Sequence, residues 1–380
     1  MIKKNYKKYI LINLILLILF GYQDLFAFDS KAKSALLIDY DSGQELFIKN
    51  KTDKIFPASM SKLMTLYVLF DSLERDIISL KDEFPVSKNA YQKEGSTIYA
   101  ELGTEISVED LIRGIIVSSG NDACIIVAES LAGSEDNFVD QLNFYAEEMG
   151  LSNSNFMNSS GLHDDNHYST VEDLTILAKR IIEDFPDYYY YFSDTSFTWN
   201  NITQYNRNNI LKSNIGVDGL KTGYTSKSGF GIIVSSEKDN KRLIAIVSGL
   251  ESIDERTSEI TRLLNYGYRG FKDYKIFSTN QIIDYVYVWK GKKEQVPIVV
   301  PKEIDLSLNI PGRRGLKVEY SFREPLIAPI NRDEIIGEIK IIIPNNDSIL
   351  LPLRAGEDVK KVNFFSGFIK SLDYFLYRNE

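Results

Sequence analysis

Pro57–Ala58–Ser59–Met60–Ser61–Lys62–Leu63–Met64–Thr65 is the stretch on which the reading of this chain turns. Pro57 suits a first helical turn, and apolar residues then recur at Leu63, Leu66, Tyr67, Phe70 and Leu73. The spacing predicts a helix that begins here, with Ser59 and Lys62 one turn apart on the same face. A serine hydroxyl is a poor nucleophile until a base takes its proton. A lysine amine can be that base when burial or another cation lowers its pKa. A helix start adds partial positive charge and free N–H groups, which suit an oxyanion. Alone, Ser-x-x-Lys is usually a solvated pair, and Ser30–Lys33 and Ser235–Lys238 match it too.

Outward from this stretch, Ala35–Tyr40 and Glu45–Ile48 flank Asp41–Ser42–Gly43 and read as a β-hairpin. Residues 77–104 read as loop with short pieces. Ser107–Asp110 is a capping box before the apolar run Leu111–Ile116. Ser119–Gly120–Asn121 is placed at the end of that helix, with Gly120 breaking it and two polar side chains facing a cleft. Ser-x-Asn recurs at Ser87, Ser278 and Ser307, so a cap or turn explains it equally well in isolation. Further helices are expected from Ser134 to Gly150 and from Thr170 to Ile182. Lys221–Thr222–Gly223 occurs once, on an expected edge strand that could hold a carboxylate while pairing with a peptide. A charged edge strand ending in a turn glycine is the bland alternative. Gly231–Ser235 and Arg242–Ser248 form a second hairpin, and Ile253–Tyr268 a helix. The economical arrangement is one antiparallel sheet built from both ends of this region, with helices on its faces.

The 380 residues suggest two or three folded units. A net charge of −9 argues against a general nucleic-acid binder. The single cysteine, Cys124, excludes an internal disulfide and multi-Cys metal sites, and it lies in the apolar run Ala123–Val127 as a buried small hydrophobe. His163 and His167, beside Asp164 and Asp165, would suit a metal only on a helix. Gly161 and the loop-like Asn158–Ser159–Ser160 argue against one there, and neither metal nor cofactor is expected. With two histidines in all, acid–base chemistry is expected to run on other groups.

Lys3, Lys4, Lys7 and Lys8 precede the apolar run Ile10–Tyr22, and Ala27 closes the segment. Residues 1–27 read as a cleaved signal peptide, an uncleaved anchor being the alternative. Its removal, with four lysines and one aspartate, takes the charge to −12. From residue 276 short alternating strands predict a separate β domain, without a helix until the last 20 residues. In 362–380, Phe364, Phe365, Phe368, Ile369, Leu372, Phe375 and Leu376 share one helical face. That segment reads as an interfacial membrane helix, with a helix docked on the β domain as the alternative.

Ser-x-x-Lys, Ser-x-Asn about 60 residues on, and Lys-Thr-Gly about 100 further form together the signature of penicillin-binding proteins and class A β-lactamases. The chain resembles the serine-type D-alanyl-D-alanine carboxypeptidases, the low-molecular-mass penicillin-binding proteins. The likeness extends through Ala35–Phe47, Pro57–Thr65, Ser118–Ala123, Tyr168–Thr170, Gln204–Asn208 and Asp218–Thr225. Ala328–Pro329 and Gly337 resemble landmarks of the family's β domain. The resemblance implies an α/β catalytic domain (28–275) with an antiparallel sheet flanked by helices, an all-β domain (276–361) and an amphipathic anchor (362–380).

It also implies roles. Ser59 would attack the carbonyl between two D-alanines of a peptidoglycan stem peptide, and Lys62 would accept its proton. Ser119 would relay a proton to the leaving amine, and Asn121 would orient Lys62 and the substrate. Lys221 and Thr222, with Gly223 beside them, would hold the terminal carboxylate. The N–H groups of Ser59 and Tyr224 would form the oxyanion hole, and Lys221 would depress the pKa of Lys62. β-Lactams would be inhibitors, and the protein would sit peripherally on the periplasmic side of the cytoplasmic membrane. Tyr224 stands where many members have His, and Ser61 where many have Thr. A β-lactamase is the nearest rival, but Glu183 is followed at the relevant spacing by Asp187 rather than Asn. A non-hydrolytic envelope protein that binds penicillin or peptidoglycan is the other. The intact polar set argues against it.

Overall fold

The computed structural model describes residues 28–344 and 348–363, so the signal-peptide segment 1–27 and most of the terminal amphipathic segment lie outside the described residues. The chain divides into two units, Met1–Lys31 and Ala32–Glu380. The first sheet of the larger unit has five antiparallel strands: β1 (Ser34–Asp39), β2 (Glu45–Lys49), β3 (Val217–Thr225), β4 (Gly229–Lys238) and β5 (Lys241–Leu250). Their order is β2-β1-β5-β4-β3, which closes the two ends of the region onto one another and leaves β3 at an edge. All six residues of β1 are buried, as expected for a strand covered on both faces.

The helices between β2 and β3 form the larger layer. They are α1 (Lys62–Glu74), α2 (Val108–Arg113), α3 (Asn121–Ala132), α4 (Glu135–Glu148) and α5 (Val171–Asp184). Ser107, Ser134 and Thr170 cap α2, α4 and α5 by accepting from the N–H of Asp110, Asn137 and Asp173. Leu36, Ile38, Ile244 and Ile246 of the sheet join Leu66, Phe70, Ile126 and Leu177 of these helices in one core. A last helix, α6 (Ile253–Gly270), lies on the sheet with Gly267 against Leu37 and Leu243. In the 77–104 stretch, Glu83–Pro85 pairs with Glu105–Ser107, and Lys88–Tyr91 makes one short helix.

α3 is the element that the sequence pattern does not separate. Every residue from Asn121 to Ala128 is buried, so no polar stripe marks a helical period. Ser119–Gly120–Asn121 does end the helix that starts at Val108, whose wide final turn stops at Ser118, and it leads directly into α3. The break falls at Ser119, which is left-handed with φ 60° and ψ 35°, rather than at Gly120.

The β domain follows α6 with strand Lys272–Phe277, which spans the expected junction at 275/276 and pairs with Ile304–Leu308. A six-stranded sheet surrounds its own core of Val286, Val288, Val296, Ile298, Ile339, Ile341 and Leu353. One short helix, Ile310–Gly315, capped by Asn309, interrupts it where the sequence pattern predicts none. The two domains meet through a polar clasp. Gln44 donates to the Ser307 carbonyl at 2.7 Å and accepts from its N–H at 2.9 Å, as a paired strand would. Beside it Lys241 bridges Asp39 and Asp273. A cavity of about 440 Å³ at this junction touches none of the expected site residues.

Gln44→Ala leaves two buried backbone groups of Ser307 unpaired, each costing about 1–3 kcal/mol. Calorimetry should show the domains melting less cooperatively and at lower temperature than in the wild type. An unchanged melting profile would mean the clasp contributes nothing.

Candidate active site

Ser59 sits in a one-turn 3₁₀ helix, Ala58–Ser61, that runs straight into α1. Ala58 just before it is held at φ 50°, a conformation that L-residues avoid without surrounding constraint. The constraint comes from two glycines. A Cβ on Gly161 (φ +76°) would lie 1.9 Å from the Ala58 carbonyl oxygen, and one on Gly223 would lie 2.7 Å from that of Pro57. Loop 158–162 and strand β3 therefore close on the Ser59 turn from two sides. This is the close approach for which Gly223 is needed.

Lys62 follows at the start of α1 and is fully buried. Its Nζ lies 2.9 Å from Ser59 Oγ, 2.8 Å from Asn121 Oδ1 and 2.6 Å from the Ser160 carbonyl oxygen. Asn121 cannot turn its amide over, because its Nδ2 donates to the Glu94 carbonyl at 2.8 Å. Its neighbour Asp122 accepts from the N–H groups of Ile98, Ala100 and Ala123, tying the 94–100 stretch to α3. On the other side, Asn158 Oδ1 accepts from the N–H groups of Ser160, Gly161 and Leu162, and Glu135 from that of Ser159. These bonds aim the Ser160 carbonyl at Lys62.

Lys221 reaches inward from β3, 2% exposed, and its Nζ donates to Ser119 Oγ at 3.0 Å. Thr222 is buried next to it. Tyr224 turns its ring outward, stacked on Phe230. Ser59, Lys62, Ser119, Asn121, Lys221, Thr222 and Gly223 thus meet at one place, where α1, the turn into α3 and the edge strand converge. The other copies of the short motifs lie elsewhere. Ser235 takes a bond from Arg242, Ser87 caps the 88–91 helix, and Ser307 lies in the domain clasp.

Burial brings the Lys62 amine down to about 8, and the positive charge of Arg207 acts in the same direction. Burial, one of the two causes expected for this lysine, is the larger. Burial also pushes Lys221 well below the usual lysine range, and there the repulsion from Lys62 adds to it. Arg207 and Arg256 add positive charge beside these lysines and lie outside the three short motifs. Arg256 is buried, donates to the Arg207 carbonyl at 3.1 Å, and is itself lowered to about 10 by burial. Arg207 lies within Gln204–Asn208, a stretch the resemblance did mark; nothing in the sequence around Arg256 distinguishes it from other helix charges.

Both ring nitrogens of His167 are engaged by protein groups. Its Nδ1 accepts from the Met157 N–H at 3.2 Å, which leaves the proton on Nε2 to donate to Ser61 Oγ at 2.8 Å. Burial holds the ring down at about 4, so it is neutral. Among the described residues no group of three or more His, Cys, Asp or Glu could hold a metal ion. Cys124 lies fully buried behind the lysines with its thiol pushed up to about 12.

A family profile described as D-alanyl-D-alanine carboxypeptidase matches residues 23–252. The chain belongs to this family. A second profile, the C-terminal domain of penicillin-binding protein 5, matches residues 271–361. The chain is 33% identical over 352 residues to the D-alanyl-D-alanine carboxypeptidase DacF of Bacillus subtilis, covering 90% of this chain and 88% of that one. The crystal structure of penicillin-binding protein 5 from Haemophilus influenzae aligns with a TM-score of 0.79 at 33% identity, over 89% of this chain and all of that one. Penicillin-binding protein D2 of Listeria monocytogenes in its ampicillin-bound form aligns with a TM-score of 0.59 at 27% identity, over 64% of this chain and 99% of that one. An α/β domain followed by a β domain is therefore an architecture that this chain shares with penicillin-binding protein 5.

Gly161→Ala should displace the Ser59 turn, since the new methyl overlaps a backbone oxygen and φ is unfavourable as well. The expected loss is on the order of 3 kcal/mol of stability in denaturant unfolding. A variant as stable as the wild type would show that loop 158–162 is not held against the turn.

Proposed function

We propose that the protein is an exported serine carboxypeptidase that removes the terminal D-alanine from peptidoglycan stem pentapeptides through an acyl-enzyme on Ser59. The observation that carries this reading is Lys62 Nζ at 2.9 Å from Ser59 Oγ, fully buried and with a pKa of about 8. An amine in that state is a base close to working pH, within reach of the hydroxyl it must activate. The names of the family's members support the substrate class, and the ampicillin-bound relative supports β-lactams as inhibitors.

In this reading the catalytic domain (28–275) does the chemistry as follows. Ser59 Oγ attacks the carbonyl carbon between the two D-alanines while Lys62 takes its proton. The developing oxyanion faces the N–H groups of Ser59 and Tyr224. Ser119 passes its proton to the departing amine nitrogen and is reprotonated by Lys62, the C–N bond breaks, and D-alanine leaves. Water, losing a proton to the freed Lys62, then attacks the Ser59 ester carbonyl, and Lys62 returns that proton to Ser59 Oγ as the ester C–O bond breaks. Lys221 and Thr222 hold the terminal carboxylate, with Arg207 and Arg256 adding positive potential. A bound carboxylate stabilises the charged form of Lys221, offsetting the burial that otherwise drives its proton off. A β-lactam carbonyl enters the same position, and its ring nitrogen is the leaving group.

The protein's place in the cell is inferred from segments read in sequence. An export signal over 1–27 and the apolar face within 362–380 are read together as attachment to the periplasmic side of the cytoplasmic membrane, with the β domain (276–361) between membrane and catalytic domain. Among the described residues no helix is long and apolar enough to cross a membrane.

Three outcomes are expected. Penicillin should label Ser59 covalently, and Ser59→Ala should lower D-alanine release by on the order of 10³-fold or more; a mass-spectrometric adduct on another serine contradicts the assignment. Lys221→Ala should impair substrates with a free carboxylate most, by about 1.5–3 kcal/mol. Equal loss on carboxylate-free esters removes its proposed role. Truncation before Val362 should release an active enzyme from membranes, since seven large apolar residues contribute roughly 5–7 kcal/mol of partial burial. Unchanged membrane association would make the signal segment the anchor, and lost activity would make the tail structural.

A further inference from the structure

In the proposed reaction Tyr224 serves only through its backbone, and its ring has no part. Gly223 and Gly231 are register partners across β3 and β4, and a Cβ on either would meet Met60 beside Ser59. That pair therefore faces the Ser59 turn. Side chains alternate along a strand, so Tyr224 and its partner Phe230 turn to the opposite face. Their rings stack with centroids 4.1 Å apart and planes at 26°. Tyr224 is nonetheless 54% exposed. Phe230 covers one side of it, and the other lies towards the outer edge of β3, where no further strand of the described residues pairs.

The proposed function fixes how a peptide would lie along that edge. Its carboxylate is at Lys221 and Thr222 and its scissile carbonyl at Ser59, so it runs antiparallel to β3 towards Tyr224 and Thr225. Strands advance about 3.3 Å per residue. If the C-terminal residue is level with Thr222, the third residue from the C-terminus is level with Tyr224. Directly opposed residues on one face bring their Cβ atoms to about 4.5–5.5 Å. The side chain of that third residue would then meet Tyr224 on its open side, as Phe230 meets it on the covered one.

We infer that the Tyr224–Phe230 ring pair is a specificity-determining platform for the side chain of the residue immediately before the D-alanyl-D-alanine unit. This inference rests on the carboxypeptidase reading. The ligand class is a long, mainly aliphatic side chain, whose methylenes lie flat on an aromatic face with the polar end left in solvent. Tyr224 acts through ring area; its hydroxyl is dispensable.

The test compares kcat/KM for D-alanine release from two peptides, acetyl-Gly-D-Ala-D-Ala and acetyl-(Nε-acetyl-Lys)-D-Ala-D-Ala, on the full-length protein. The wild type should prefer the lysyl peptide by about five- to tenfold, the worth of one aromatic contact. Tyr224→Ala should bring that ratio close to one, whatever it does to the absolute rates, and Tyr224→Phe should restore it. A ratio that survives in Tyr224→Ala overturns the proposal, as does a wild-type ratio near one. Release from neither peptide by the wild type would overturn the carboxypeptidase reading and the platform together.

Discussion

Three short contacts around one buried amine organise the site. Lys62 Nζ has Asn121 Oδ1, the Ser160 carbonyl oxygen and Ser59 Oγ within 2.9 Å. Two of these atoms can only accept: a carbonyl oxygen by nature, and the Asn121 oxygen because Glu94 holds the amide nitrogen. A neutral amine has two N–H donors and one lone pair. If both donors go to the obligate acceptors, the lone pair is left for Ser59, whose hydroxyl can donate. Burial, which disfavours the ammonium form, brings that neutral state within reach of physiological pH.

Much of the surrounding structure serves to keep that geometry dry and fixed. α3 delivers Asn121 at its first residue, and the Asp122 carboxylate pins the 94–100 stretch that holds Asn121 in turn. The Asn158 and Glu135 side chains shape the loop that presents Ser160, and neutral His167 braces Ser61 from behind. Gly161 and Gly223 allow two backbones to touch the Ser59 turn where any side chain would separate them. The left-handed residues Ala58 and Ser119 are the strained points of this closure; Ala58 adjoins Ser59, and Ser119 is itself assigned to catalysis.

The outline was legible in the sequence because its signals were local. Capping residues at Ser107, Ser134 and Thr170 marked helix starts, and short apolar runs on either side of the Asp41–Gly43 and Glu237–Lys241 turns marked hairpins. The three short motifs, each weak alone, became informative through their order and spacing. What escaped was non-local. From Asn121 to Ala128 α3 is buried throughout and so carries no amphipathic period, which hid the helix that starts directly after Ser119–Gly120. The Ser160 carbonyl is a backbone atom that no side-chain motif records. Arg256 belongs to the site only because α6 folds back over the sheet. That burial or a nearby cation could lower Lys62 was expected, but the enclosure that makes burial the first cause is assembled from distant chain segments.

Burial within this enclosure is what makes Lys62 a base near neutral pH. Direct titration of its amine by NMR, with ¹⁵N-labelled lysine and Lys62→Ala to assign the signal, tests that cause without relying on turnover. The account predicts a transition at about pH 8, with the amine neutral above it and protonated below. A transition at the ordinary lysine value of about 10.5 would contradict it, because Lys62 would then be an ammonium ion throughout the working range and could not take the proton of Ser59.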